Sequence, residues 1–276
     1  MITRTAKGVA ESKANGTTLQ RASVAIAENA SIVVNLAHDP VTVTSVKWNS
    51  IDLTKVIENT SGAGVQGSQW VLHNCTAATG NVDVVFASAI DAKALTVLQL
   101  LGDNTSTGGE LQTDQSSSGT GSGTTPNSGA TAAQTFEGEL AIGAIMLEAL
   151  FLSVGTGTFT SIQGVGTTGG ASDTNVGVAD FDLQLAESTA AVTFSRTDVT
   201  SGNWVAIVVT YKENTAAEVK DVQEFRTWNY TQDRVEIAQE FRTWEYTKDR
   251  VEIAQQYRTW WYEETPGSNA LFAAIL

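Results

Sequence analysis

The chain has 276 residues, of which 42% are hydrophobic and 17% are charged, and its formal net charge is −14. This acidity argues against binding to nucleic acid phosphates or to an anionic membrane surface. A single cysteine, Cys75, excludes an intramolecular disulfide. The N-terminal residues lack the apolar stretch of a secretory signal, and no segment reaches the roughly 18–20 apolar residues of a membrane span. We therefore expect a chain without a membrane span, stabilised by packing alone.

Residues 1–212 are predicted to form one strand after another. Thr, Ser, Val and Ala dominate this region, and Gly, Asn and Ser mark the turns, such as "NS" at 49–50. The segment "WVAIVVTY" (204–211) is a continuous apolar run bounded by a turn, a pattern typical of a strand buried on both faces. Roughly eight to ten such segments predict an all-β, antiparallel, jelly-roll-like β-sandwich.

Residues 102–134 differ in composition from the segments on either side. They are rich in Gly, Ser and Thr and poor in apolar residues, as linkers and long loops are. The segments on each side are too few for two good domains. We therefore interpret 102–134 as a long loop with one short edge strand, inside a single sandwich over residues 1–212.

The order of several segments in this region resembles a known module. These are "ITRTAKGVAESKANGTTL", "SVAIAENASIVVNLAHDP", "TSVKWNSIDLTKV", "QWVLHNCTAATGNVDVVFAS", "ELAIGAIMLE" and "TSGNWVAIVVTYK". Together they resemble a β-sandwich module of tailed-phage structural proteins and of large bacterial and archaeal surface proteins. The resemblance covers about residues 1–212. It implies a jelly-roll-like sandwich in a virion or at a surface, and it implies no catalytic motif.

Individual polar residues give no convergent site. His38 and His73 lie in different segments without ligand spacing, and we interpret both, like Cys75, as structural. Asp180 and Asp182 alternate along one strand and could share a Ca²⁺ ion, but solvated outward positions are the favoured interpretation. The sequence therefore predicts no enzyme, no cofactor and no metal.

Three further tryptophans bear on a rival function, carbohydrate binding. Trp48, Trp70 and Trp204 lie inside apolar strand patterns. We interpret all three as core residues and not as an exposed aromatic platform for sugars.

The C-terminal region, 213–276, contains a repeat with a period of sixteen residues. Phe225, Phe241 and Tyr257 correspond, as do the tryptophans sixteen residues apart. In a helix sixteen residues leave an offset of about 160°, which defeats a continuous stripe. In a strand an even period returns equivalent residues to one face, so β-structure is favoured, with strand–turn–strand units and a turn at 232–233. The lack of Gly and Pro in the repeats keeps a helical or irregular tail open.

Two and a half repeats cannot bury their aromatic residues alone, so we predict that this region is an assembly interface. The expected function is a non-enzymatic virion structural protein of a tailed virus, a capsid decoration, head fibre or tail-associated protein. Its partners would be copies of itself and other virion proteins. The alternatives are a carbohydrate-binding adhesin that contacts host glycans, and a prokaryotic surface or filament subunit joined by strand addition. The predicted interface residues are Phe225, Trp228, Tyr230, Phe241, Trp244, Tyr246, Tyr257, Trp260 and Trp261.

Overall fold

The computed structural model describes residues 1–62, 64–102, 110–149, 154–168, 174–185 and 189–213, and the backbone of 230–231, 234–247 and 250–262. These residues form antiparallel β-sheet and contain no α-helix, which confirms the predicted all-β class. The chain divides into two compact units, residues 1–214 and 215–276.

The first half of the larger unit is a complete jelly roll. One sheet has the order β1-β9-β3-β7-β6 and the other has the order β2-β8-β4-β5. Strands from the two ends of the segment pair with each other, as in a long hairpin folded over on itself. The turn predicted at "NS" joins β4 to β5, and both of its residues have positive φ, as a type I′ hairpin requires. The strands are β1 (Thr3–Ser12), β2 (Gly16–Ile26), β3 (Ala30–His38), β4 (Val43–Trp48), β5 (Ile51–Asp52), β6 (Thr54–Ser61), β7 (Val65–Cys75), β8 (Ala78–Ile90) and β9 (Lys93–Leu101).

The second half of the unit repeats this strand order. Its large sheet has the order β10-β18-β12-β15-β14. As in the first half, the first strand pairs with the last strand, the last strand pairs with the third, and a hairpin completes the sheet. Two small sheets, β11-β16 and β13-β17, take the place of the second sheet. The strands are β10 (Leu111–Gly123), β11 (Asn127–Ala130), β12 (Leu140–Glu148), β13 (Val154–Thr156), β14 (Thr160–Gly166), β15 (Gly177–Gln184), β16 (Thr193–Ser195), β17 (Thr197–Val199) and β18 (Gly202–Glu213). The larger unit, residues 1–214, therefore contains two jelly-roll modules, one in each half.

The two modules pack their large sheets against each other. The edge strand β1 contacts β14, and reciprocally β10 contacts β6, so an approximate twofold axis relates the modules. Hydrogen bonds reinforce the second contact, from Asn59 Nδ2 to Ser118 Oγ (3.1 Å) and from Ser61 Oγ to the Gly121 carbonyl (3.0 Å). The central strands of both large sheets consequently have apolar residues on both faces.

Three apolar clusters follow from this layering. The middle cluster lies between the two large sheets and includes Val33, Leu98 and Ile207. An outer cluster fills each module, one around Trp48 and the other around Phe181. The run 204–211 lies in β18 between the middle and an outer cluster, which confirms the prediction of a strand buried on both faces.

The predicted loop at 102–134 is largely strand in the structure. Residues 111–123 form β10, a 13-residue edge strand paired to β18, and 127–130 form β11. The small residues that suggest a linker instead allow neighbouring side chains to pack closely against β10. A Cβ atom on Gly121 would lie 2.5 Å from Cζ2 of Trp204, so a larger residue there would displace the ring.

The smaller unit contains one three-stranded antiparallel sheet of order β19-β20-β21. Strand β20 continues without a break from Arg234 to Thr247. The predicted turn position, 232–233, lies between the paired strands β19 and β20, while the strand after it is longer than predicted, because β20 runs through to Thr247. The strands are β19 (Tyr230–Thr231), β20 (Arg234–Thr247) and β21 (Arg250–Tyr262).

Candidate functional site

The long hairpin β20–β21 pairs one repeat with the next. Trp244 is the register partner of Ile253, and Ile237 is the register partner of Trp260. Since these pairs are equivalent under the sixteen-residue repeat, the same cross-strand combination occurs twice. Aromatic residues opposite β-branched residues are favourable cross-strand pairs, each worth roughly 0.2–1 kcal/mol.

The structure places seven of the nine predicted interface residues on this sheet. Tyr230 lies in β19, while Phe225 and Trp228 lie outside the described residues. The hairpin itself carries the remaining six, Phe241, Trp244, Tyr246, Tyr257, Trp260 and Trp261. Strand β21 pairs only with β20 among the described strands, so its other edge is open along 13 residues. An open strand edge is a template for pairing with a further strand.

A second polar feature lies between the two modules, centred on the fully buried Asp180. Asn35 Nδ2 (2.9 Å) and Thr96 Oγ1 (2.6 Å) donate to its Oδ1, and Gln163 Nε2 (3.0 Å) donates to its Oδ2. Gln69 extends this network, because its amide donates to Asn35 Oδ1 at 2.7 Å. Burial raises the pKa of Asp180 to about 6, although the three donors oppose the rise.

The position of Asp180 corrects the expectation that both acidic residues of β15 point to solvent. Its side chain is enclosed between modules, whereas Asp182 lies at the rim and forms an ion pair with Arg4 at 3.1 Å. The alternation of polar and apolar residues along a strand does not show whether the polar face meets solvent or a second sheet. The donors around Asp180 occupy both of its oxygens, and among the described residues no group of three His, Cys, Asp or Glu side chains lies together.

The other residues considered from the sequence are packed in the interior. The exposed fractions of Trp48, Trp70 and Trp204 are 1%, 7% and 8%, so the prediction that they are core residues is confirmed. Cys75 is buried, and burial raises the pKa of its thiol to about 11.

The two histidines lie apart and share no site. His38 is buried against Phe86, and its Nδ1 lies 2.6 Å from the Asp39 carbonyl oxygen. Nδ1 of His73 lies 2.7 Å from Ser31 Oγ. Burial lowers the pKa of each imidazole to about 4.

Sequence reasoning missed a third feature, a lysine with two carboxyl groups at one end of the second module. Lys212 lies near the end of β18, which is paired with β10 on one side and with β12 on the other. Its Nζ donates to Asp114 Oδ1 of the edge strand β10 at 2.9 Å. Glu139, with an exposed fraction of 1%, immediately precedes β12 on the other side. The three residues are far apart in sequence and only the strand order brings them together.

A β-bulge directs Asp114 towards the lysine. Thr113 pairs with Tyr211 and Ser116 pairs with Val209, so two residues of β10 lie opposite the single residue Thr210. A bulge of this kind re-aims the side chain that it carries. The irregular pairing is stabilised by a hydrogen bond from the Gln115 amide to Thr210 Oγ1 at 3.0 Å.

The cluster is enclosed by the segment that precedes β12. Thr135 donates to Asp114 twice, from its amide to Oδ2 (2.8 Å) and from its hydroxyl to Oδ1 (2.6 Å). Lys212 Nζ also donates to Thr135 Oγ1 at 2.8 Å and lies 4.8 Å from the centre of the Phe136 ring. The side chains of Lys212 and Asp114 are 18% and 4% exposed, while Thr135 and Phe136, which cover them, face solvent.

The two carboxyl groups of this cluster have pKa values moved in opposite directions. Burial raises the pKa of Glu139, and the neighbouring Asp114 carboxylate adds to the rise, while hydrogen bonding by Thr210 opposes it. Burial also acts to raise the pKa of Asp114, but hydrogen bonds from Thr135, Lys212 and Glu139 outweigh it and lower the pKa to about 2. Two neighbouring carboxyl groups whose pKa values are moved apart in this way are suited to acid and base roles in proton transfer.

Comparison with known proteins gives no relative for this chain. No family model matches it, and neither a curated protein nor a solved structure matches it significantly. The resemblance to the phage and surface-protein module therefore stays a prediction. In the part of the chain that the structure describes, no helix has the length and apolar character needed to cross a membrane.

Proposed function

We propose that this protein is a non-enzymatic structural component of a tailed-virus particle, which assembles with further copies of itself through its C-terminal repeat. The observation that carries the proposal is the β20–β21 hairpin, in which one repeat is the antiparallel partner of the next over 13 residues. The virion setting rests on the order of the segments in residues 1–212, and the assembly role rests on the hairpin.

The repeat makes the hairpin self-complementary. Among the described strands β21 pairs with β20 alone, and the sequence that pairs with a repeat strand is another repeat strand. A second copy of the chain carries that sequence. Isolated sheets of two or three strands are marginally stable in water, so the addition of strands from other copies stabilises the hairpin itself.

The length of the hairpin supports a role in assembly. Thirteen paired residues span about 43 Å at a rise of about 3.3 Å per residue, which is long for a strand in a globular protein. A long strand offers many backbone groups at once to a strand of a neighbouring copy.

The assembly role is tested on the full chain by sedimentation velocity over a range of concentrations. The double variant Trp244→Ala/Trp260→Ala is expected to weaken self-association at least about tenfold, because tryptophans dominate many interfaces. The matched control is Thr243→Ala/Thr259→Ala, which changes the residue before each tryptophan. A wild-type chain that remains monomeric at all concentrations would refute the assembly role.

The virion setting needs a separate measurement. An antibody against the chain is expected to detect it in virus particles purified on a density gradient from lysates of the producing cells. Detection at the cell surface or in filaments, and not in particles, would favour the second candidate, a surface or filament subunit. The open edge of β21 is the observation that supports strand addition in either setting.

A further inference from the structure

We propose that Lys212 and Asp114 condense to an intramolecular amide (isopeptide) bond, with Glu139 moving the proton that this reaction requires. The inference is independent of the proposed function, since it concerns a covalent modification inside the second module. It rests on the side chains of Asp114 in β10, Lys212 in β18 and Glu139, which immediately precedes β12.

The first argument is proximity. The amine nitrogen and the carboxyl group are in direct contact, with Nζ 2.9 Å from Oδ1, and Asp114 is positioned by the bulge in the pairing of β10 with β18. Fixing two reacting groups in contact replaces an encounter in solution and can supply a large part of the rate. Thr135 holds both oxygens of Asp114, so the carboxyl carbon presents a fixed orientation to the amine.

The second argument is the shielded environment. Charged groups are strongly hydrated in water, and that hydration suppresses their reaction with each other. Here the Asp114 side chain is 4% exposed, and the Phe136 ring lies against the ammonium group. Amide formation from this pair requires transfer of a proton from the ammonium group to the carboxylate, because only the neutral amine is a nucleophile.

The third argument is the presence of a proton carrier. Glu139 is buried beside Asp114, and its carboxyl group retains its proton to a higher pH than an ordinary glutamate. Glu139 gives this proton to the Asp114 carboxylate and takes one from the Lys212 ammonium, which leaves a neutral acid and a neutral amine. Amide formation requires a general acid–base group of this kind beside the carboxyl group.

The reaction balances without any further reactant. The lone pair on Lys212 Nζ attacks Cγ of Asp114 and forms the N–C bond. The tetrahedral intermediate then breaks one C–O bond and loses water, with Glu139 passing the proton from nitrogen to the departing hydroxyl. An ammonium and a carboxylate become one amide and one water, and Glu139 ends protonated as it began.

Other lysine–carboxylate pairs in the described body lack this combination. Lys47 Nζ lies 3.4 Å from Asp52 Oδ1, and the two side chains are 41% and 70% exposed. This pair is far more exposed than Lys212 and Asp114, so it serves as an internal control.

The test is the intact mass of the full-length protein, followed by peptide mapping. The wild type is expected to weigh one water molecule less than its sequence, and digestion is expected to give a branched peptide that joins the segments containing Asp114 and Lys212. The full sequence mass in the wild type, with the two segments recovered as separate peptides, would overturn the proposal. A water loss that maps elsewhere overturns it equally.

Variants separate the covalent step from the ion pair. Lys212→Arg keeps a positive charge beside Asp114 but is expected to show the full sequence mass, because a guanidinium does not condense under these conditions. Glu139→Gln keeps the packing but removes the proton carrier, and it is expected to reduce the cross-linked fraction at least about tenfold. The matched control Lys47→Arg is expected to retain the loss of one water. A cross-linked fraction that Glu139→Gln leaves unchanged would contradict the role of Glu139.

Discussion

The variant Asp180→Asn tests the energetics of the buried carboxylate between the modules. Asp180 is fully buried, and its pKa rises from 3.8 to about 6 on folding. Because the folded state holds this proton to a higher pH than the unfolded chain, its contribution to stability is most favourable below pH 3.8. The contribution falls as the pH rises towards about 6 and is constant above that. The total change corresponds to about 3 kcal/mol of unfolding free energy.

The substitution also carries a cost that does not depend on pH. The introduced amide can still accept hydrogen bonds from Asn35 and Thr96, but its NH₂ group would meet the NH₂ group of Gln163. Turning the Gln163 amide relieves this conflict and loses its 2.9 Å hydrogen bond to the Val97 carbonyl. One lost hydrogen bond costs about 1 kcal/mol. The variant is therefore expected to be less stable than the wild type at low pH and more stable at neutral pH.

The assay is urea unfolding of both proteins at a series of pH values from about 3.5 to about 8. The measured quantity is the difference in unfolding free energy between variant and wild type, in which contributions of unchanged groups cancel. That difference is expected to shift by about 3 kcal/mol in favour of the variant as the pH rises. Asp182→Asn is the control, which removes a carboxylate of the same strand at the rim and is expected to cost at most about 1 kcal/mol. A difference for Asp180→Asn that is the same at every pH would refute the reasoning.

Two further substitutions probe the packing. Burial lowers the pKa of His38 from 6.5 to about 4, so its contribution to stability is present above pH 6.5 and is lost as the pH falls to about 4. His38→Gln is expected to remove about 3 kcal/mol of the stability that the wild type loses between pH 6.5 and about 4. A variant whose unfolding free energy in urea falls with acid as much as that of the wild type would contradict this expectation. A Cβ on Gly143 would lie 2.7 Å from Cγ of Phe194, so Gly143→Ala is expected to cost about 1–3 kcal/mol in the same assay. The control Gly16→Ala, where the nearest atom is 3.9 Å away, is expected to stay within about 0.5 kcal/mol, and equal costs for the two would show that the ring moves freely.

Sequence patterns predicted the strands of the first module and the last strand of the second well. The run 204–211 is apolar on both faces except at Thr210, because β18 has an apolar cluster on each side. The "NS" turn follows from local chemistry, since Asn tolerates positive φ. Such features depend on neighbouring residues only, so they are visible in the sequence.

The second module and the buried polar residues could not be predicted in the same way. Its outer strands β13, β16 and β17 have three residues each, too few for a periodic signal. Asp180 alternates with apolar neighbours as a surface acid would, and only the stacking of the first module over it makes the position internal. The Lys212 cluster joins residues 98 positions apart through a bulge, which no local pattern encodes.

The location of the Lys212–Asp114 pair gives the proposed bond its physical significance. Asp114 lies in the first strand of the second module and Lys212 in the last, so an amide between them would close a covalent ring around the whole module. By the chain-entropy argument used for disulfides, a ring of about 100 residues lowers the entropy of the unfolded state by an equivalent of about 4.7 kcal/mol. The edge strand β10 has a single neighbour, β18, and it would gain most from such a bond. Residue 213, the last of β18, precedes the C-terminal unit directly. A force applied to the chain through that unit would act first on β18. The amide would transmit part of this force to β10, so that β18 would not separate from its partner strands. A covalent ring at this position is therefore what a protein that assembles through its C-terminal strands would need most.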